Sequence, residues 1–280
     1  MPNDDPESDA GSPDEEGFRD AVAQFPNDVA DPPEFLNGLI PASIRDRYEV
    51  YSYRSAAVTL KQAHRSEFEE LMSVLDGFSI TKNMIRMAGG NESEIPKLLS
   101  QRLRPLGWYE TIIQGDLLVR LTWREEIRRT RSGKAVLGNR ERELVRERYI
   151  DGHKIDYVKG RVAFDLEWNS KDQTFDRDLF AFSAFAQCGA IDVGVLVTRG
   201  TSLNPVIRDL GPALKKDGSV ETRPSGQHRM THEKYGASTT WMGKLLYRLN
   251  AGRNGACPVL AFGITPRCIS DMEEQGVERS

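Results

Sequence analysis

Residues 190–199, AIDVGVLVTR, form a nearly continuous run of apolar and β-branched side chains. A run without alternation describes a strand buried on both faces, which needs packing layers above and below its sheet. CPVLAFGIT, near the C-terminus, reads the same way. Helical periods surround these runs. TFDRDLFAFSAFAQCG has helical spacing, with Thr174 at its cap and Gly189 at its end, and STTWMGKLLYRLNAG repeats that design with Ser238 or Thr239 as cap and a stop near Gly252. From about residue 41 the texture is helical. SEFEELMSVLDGF spaces Phe68, Leu71, Met72 and Leu75 on one face and stops at Gly77. GGNESEIPKLLSQRLRPLGW follows, with Asn91 or Ser93 as cap, Pro96 in the first turn and Ile95, Leu98, Leu99 and Leu103 as its stripe. YETIIQGDLLVRLTW then predicts two strands around a turn at Gly115-Asp116, and HKIDYVKGRVAFDLEWN a hairpin joined at Lys159-Gly160. This order predicts an α/β fold with a central mixed β-sheet flanked by helices.

The second arm of that hairpin carries the chemistry. In RVAFDLEWNSKD, Val162, Phe164, Leu166 and Trp168 alternate with Asp165, Glu167, Asn169 and Lys171. One strand face is therefore apolar and the other holds two carboxylates, an amide and an ammonium. A solvated sheet surface accounts for this pattern, and so does a metal-dependent active site. The large apolar face places the strand in a packed core, and neighbouring carboxylates repel unless a cation compensates them. Asp156, at the end of the first arm, completes the pattern Asp-x8-Asp-x-Glu. Carboxylates from adjacent strands suit Mg²⁺, which takes one or two of them together with waters and phosphate oxygens. A bound Mg²⁺ acidifies water and polarises a scissile phosphate.

Charge is unevenly distributed. The chain has 280 residues and a formal net charge of −4, yet its first 34 residues hold eleven acids and only Arg19 as a base. That segment is −10, and the remaining 37 bases and 31 acids leave +6. The start reads as a disordered acidic tail, and the body suits a polyanionic partner without requiring one. Residues 124–148 interleave many arginines with glutamates, as a solvated loop and helix face or as a phosphate-contacting arm. No apolar run nears the roughly 20 residues of a membrane helix, and the acidic N-terminus is unlike a secretory signal. Cys188, Cys257 and Cys268 show no CxxC spacing, so a reducing compartment, the cytoplasm, is expected.

The run HKIDYVKGRVAFDLEWNSKDQTFDRDL, the strand AIDVGVLVTR and the segment KYGASTTWMGKLLYRLNAGRNGACPVLAFGIT resemble the BglII/BstYI group of type II restriction endonucleases. GGNESEIPKLL resembles the helix before the catalytic hairpin of that group, so the likeness spans roughly residues 85–267. The resemblance implies a PD-(D/E)xK nuclease core working as a homodimer, with Mg²⁺, on a short palindromic site in double-stranded DNA. It also implies a cognate DNA methyltransferase in the same system, without direct contact, and 5′-phosphate ends. On this basis one nuclease domain covers 35–270, with a helical part at about 41–105, the catalytic hairpin at 153–171 and a recognition loop at about 212–240. The acidic tail (1–34) and a polar tail (271–280) flank it.

Asp156 and Asp165 match the two metal-binding acids, and Glu167 falls where many relatives have Lys and BglII-like members have Gln. Asp156, Asp165 and Glu167 are thus the implied metal and catalytic residues. A second register takes Glu167 as the second acid and Asn169 as its amide partner. Lys171 shares the carboxylate face if the strand continues, or caps the next helix. Glu94 is either an extra helical acid near the metal or a first-turn Glu favoured by the helix N-terminus. His153 reads as a general base or as a polar strand residue. For the DNA side, residues 222–240 offer a dense set of donors, of which Arg223, Ser225, Gln227, His228, Arg229 and Lys234 are the candidate contacts. Arg223 and Arg229 suit bidentate guanine contacts and Gln227 suits adenine. An ordinary polar surface loop would have the same composition.

Overall fold

The computed structural model describes residues 30–87 and 93–272. Most of the acidic tail, Asn91 and most of the polar tail from 271 lie outside the described residues. In chain order the main elements are α1 (Pro33–Leu39), α2 (Ala42–Arg47), β1 (Tyr48–Tyr53), α3 (Ala56–Ala63), α4 (Arg65–Asp76), α5 (Lys82–Arg86), α6 (Glu94–Leu103), β2 (Tyr109–Arg129) and β3 (Ala135–Lys159). They continue with β4 (Val162–Glu167), α7 (Thr174–Gln187), β5 (Val193–Arg199), α8 (Leu203–Asp209), α9 (Met242–Asn250) and β6 (Val259–Ile264).

Six strands form one mixed sheet in the order β1-β6-β5-β4-β3-β2. β4, β5 and β6 run parallel, while β1 joins β6 and β3 joins β4 antiparallel. Every residue of β5 and β6 is buried, as their unalternating runs predict, and β4 is buried throughout as well despite its alternating sequence. Two layers cover them. Val162, Phe164, Leu166, Val193, Val195, Val197, Leu260 and Phe262 share the main core with Leu60, Leu71, Leu75 and Leu99 of the N-terminal helices. On the opposite face a Cβ built on Gly194 of β5 would meet the Phe182 ring of α7 at 2.4 Å, so the helix packs directly on the strand backbone. The β3–β4 link is a two-residue loop, Gly160-Arg161, shifted by one residue from the expected Lys159-Gly160, with Gly160 at φ 54°.

The chain divides into two compact units, Ile112–Lys154 and the remainder. The smaller unit is a two-stranded ribbon, and it overturns two expectations. Gly115-Asp116 is not a turn but lies within the 21-residue strand β2. The irregularity there falls on the partner strand: Arg148 takes φ 51° and its N–H donates to Asp116 Oδ1 at 2.8 Å. Residues 124–148 form no loop or helix face except the turn near Gly133, because arginine and glutamate alternate across paired strands. Arg140 meets Glu125 at 3.1 Å, and Arg120 meets Glu141 at 2.9 Å and Glu143 at 2.8 Å.

Three smaller departures have local causes. YEVYSY, inside the expected helical part, is the edge strand β1. Thr174 is the first helical residue rather than the cap, and its hydroxyl donates to the Lys171 carbonyl. α9 starts at Met242, because the Thr239 side chain is engaged with Gly236 and Arg199 instead of capping. Ser93, by contrast, caps α6 as expected, accepting from the Ile95 N–H at 3.3 Å.

Candidate active site

The β3–β4 register pairs Tyr157 with Phe164, so one step further sets Asp156 opposite Asp165. There the Asp156 N–H donates to Asp165 Oδ1 at 3.0 Å. Glu167 follows two residues along the same face. This face is not solvated. Asp165 is 4% exposed and Glu167 7%, while Asp156 at the rim is exposed.

A third buried acid arrives from α7. Asp178 is 2% exposed, and the Glu167 carboxyl lies within hydrogen-bonding reach of it. Arg177, beside it on the helix, is two-thirds exposed and donates to Asp178 Oδ1 at 3.0 Å. The same guanidinium approaches Glu167 Oε1 at 3.5 Å. One oxygen of each acid therefore faces a cation. The others, Glu167 Oε2 and Asp178 Oδ2, are buried and lack a hydrogen-bond partner among the described residues. Burial, then the neighbouring Glu167 charge, pushes the Asp178 carboxyl up to about 8. Burial also drives Asp165 well above the usual carboxylate range, reinforced by Asp178, Asp156 and Glu167.

Neither Asp178 nor Arg177 was among the sequence candidates. The signal existed for the acid: helical spacing from Phe175 through Leu179 to Phe182 carries Asp178 on the buried stripe. Arg177 announces itself only through the fold, because it lies outside the strand face that drew attention.

The remaining candidates fall elsewhere. β4 ends at Glu167, so Lys171 does not extend its face; it is exposed and makes a backbone bridge with Thr239. Asn169 is half-buried, and its Nδ2 donates to the Lys234 carbonyl at 3.2 Å. Glu94 sits in the first turn of α6 and lines another cleft with Lys97, Lys215 and Lys234. His153 belongs to the ribbon unit.

The 212–240 segment folds back on itself through bridges Pro212–Met230, Leu214–Val220 and Thr222–His228, then forms a short 3-10 helix, Thr231–Tyr235. Ser225, Gln227 and His228 are exposed at the tip. Arg223 pairs with Glu233 at 2.6 Å, Arg229 with Glu221 at 3.0 Å, and Lys234 with Glu221.

A family model described as restriction endonuclease BglII/BglIII matches residues 48–264, from the first residue of β1 to the last of β6. The chain belongs to the BglII/BglIII restriction endonuclease family. A comparison with curated proteins gives no match. Membership makes the chain a DNA-cleaving hydrolase with a restriction-endonuclease-like fold. Its family generally uses a divalent metal, and the carboxylate cluster can be tested for that fit. Among the described residues no three His, Cys, Asp or Glu side chains are arranged to hold a metal ion together. The donor set nevertheless fits a hard cation: two buried carboxylate oxygens lack donors, and three acids crowd one face with a single guanidinium. Mg²⁺ asks for only one or two protein carboxylates. The restriction endonuclease therefore has the oxygens to receive such an ion without a complete protein cage.

Proposed function

We propose that the chain is a type II restriction endonuclease that hydrolyses duplex DNA at a short palindromic site with Mg²⁺, leaving 5′-phosphate ends. One observation carries this reading: Asp165 and Glu167, on the strand that the family resemblance assigns to catalysis, are buried together with Asp178 of α7, and Glu167 Oε2 and Asp178 Oδ2 lack a hydrogen-bond partner among the described residues. Asp156, Asp165 and Glu167 are the proposed ligands, with Asp178 behind them. When bound, the cation supplies an acidified water and a polarised phosphate.

The chain's own residues do the rest. The Asp156 N–H donates to Asp165 Oδ1 and so orients the Asp165 carboxylate. Glu167, buried on β4 beside Asp178, is placed to orient and deprotonate the attacking water. Arg177 places a cation where many relatives rely on Lys and balances the charge that develops on the phosphate. Lys171, exposed past the strand, has a weaker claim to that role.

Arg223, Ser225, Gln227, His228, Arg229 and Lys234 are the proposed base and phosphate contacts, the ion-paired cations exchanging their glutamates for DNA. A palindrome has two-fold symmetry, so a homodimer is the natural reader. A cognate methyltransferase would protect the host site without touching this chain. Three free thiols support a cytoplasmic setting, and among the described residues no helix is long and apolar enough to cross a membrane.

Digestion of plasmid DNA in Mg²⁺, followed by sequencing of the ends, tests this reading. Discrete fragments sharing a palindrome and 5′-phosphates are expected. A smear would assign a relaxed nuclease instead. Specific binding in Ca²⁺ without any cutting would assign an inactive DNA-binding homologue, a reading favoured by the Glu at position 167.

A further inference from the structure

A cavity of about 380 Å³ opens at the C-terminal end of β5, lined by Arg199, Asn204, Arg208, His232, Tyr235 and Gly236 among others. Clefts outside the carboxyl ends of parallel strands are where open α/β sheets bind ligands. Arg199 is its floor and is only 1% exposed. A buried cation normally has a carboxylate beside it. Among the described residues, the hydrogen-bond partners of Arg199 are all neutral. Its Nε donates to the Trp168 carbonyl at 3.1 Å and the Thr240 carbonyl at 3.0 Å. Nη1 donates to Asn204 Oδ1 at 3.2 Å, and Nη2 to Thr239 Oγ1 at 2.7 Å.

The Tyr235 ring stacks against the guanidinium, with 4.8 Å from Cζ to the ring centroid. Each terminal nitrogen carries two N–H groups, and these contacts use one of each. Burial pushes the pKa of Arg199 down to about 10, so it remains charged at neutral pH. Arg208 and His232 add exposed donors at the mouth, and among the described residues no acidic side chain contributes to the lining.

A buried guanidinium held in place by neutral acceptors, with Arg208 beside it at an open volume, is a preformed anion receptor. The anion that a DNA-cleaving enzyme meets in every encounter is the phosphodiester. We propose that this cavity is a phosphate pocket that receives a backbone phosphate of the bound duplex, with Arg199 and Arg208 as its principal donors. The pocket couples recognition to cutting. Arg199 holds the residue after Glu167 through the Trp168 carbonyl, and holds the recognition segment through Tyr235, Thr239 and Thr240. The proposal rests on DNA cleavage by this family and is independent of the carboxylate assignments.

The test measures binding of the full chain to a 20-bp duplex, with Ca²⁺ replacing Mg²⁺, by fluorescence anisotropy between 50 and 200 mM KCl. Wild type is compared with Arg208→Gln, Arg199→Lys and the double variant. Arg208→Gln should bind about tenfold more weakly. Its slope of log K against log salt should be shallower by about 0.9, one phosphate contact. Arg199→Lys keeps the charge but loses the planar fork, so affinity should fall about tenfold with the slope retained. One phosphate shared by both residues makes the double variant lose less than the product of the two single losses.

An unchanged slope in Arg208→Gln overturns the pocket, and so do losses that simply multiply. If Arg199→Lys does not fold, as a thermal melt would show, the exposed Arg208 keeps the slope decisive. If inorganic phosphate competes with the duplex no better than chloride at equal ionic strength, the expectation of phosphate chemistry fails as well. Absence of duplex binding by the wild type would overturn the nuclease reading together with the pocket. Intact wild-type binding with indifferent variants overturns the pocket alone.

Discussion

Burial of Asp178 beside Phe175, Leu179 and Phe182 puts an acid on a stripe that helical spacing reserves for apolar side chains. Its raised pKa has a measurable consequence. The folded state holds a proton that the unfolded chain has released above its ordinary carboxylate pKa near 4. Without divalent cation, the contribution of Asp178 to stability should therefore be present at low pH and should be lost as pH rises towards about 8. Thermal unfolding in chelator from pH 5 to 8.5 would show the decline. Asp178→Asn should flatten it and lower cleavage about 10- to 100-fold, as expected for a residue supporting a metal ligand. Arg177→Met should lower kcat by about 100-fold, with Arg177→Lys recovering part of it. A simple surface role predicts equal rates for both variants. Asp165 and Glu167 were legible in the sequence because a strand has a period of two. Asp178 and Arg177 were not, since their relation to β4 depends on how α7 crosses the sheet.

At the scale of elements, unalternating apolar runs announced β5 and β6, strict alternation announced β4, and Gly160 announced the hairpin link. The ribbon was misread, because Gly115-Asp116 has turn composition while its irregularity is absorbed by Arg148 on the opposite strand. Dense charge also resembles a loop until cross-strand pairs are seen. Lys171 failed as a face-sharing residue because alternation continues in the sequence beyond the point where β4 ends. The packing of α7 on β5 controls the position of Arg177 and Asp178. A methyl group on Gly194 would meet the Phe182 ring at 2.4 Å. Gly194→Ala should cost about 1–3 kcal/mol in urea unfolding. It should also reduce cleavage by more than the loss of folded protein explains. Unchanged stability would show that the helix has room to shift.

Across the whole molecule, the family match runs over the same interval as the sheet, from Tyr48 to Ile264. The proposed catalytic face and Arg199 both depend on the parallel strands at the centre of that sheet. The sequence conveyed the layers and the resemblance, whereas the buried cations and acids emerged only when distant segments met. The central claim is that the β3–β4 carboxylates perform DNA cleavage. Its most direct test compares wild type with Asp165→Asn for Mg²⁺-dependent plasmid cleavage, with duplex binding in Ca²⁺ measured in parallel. Loss of cleavage by at least about 100-fold, with binding retained, is the predicted result. Cleavage by Asp165→Asn at the wild-type rate would contradict it.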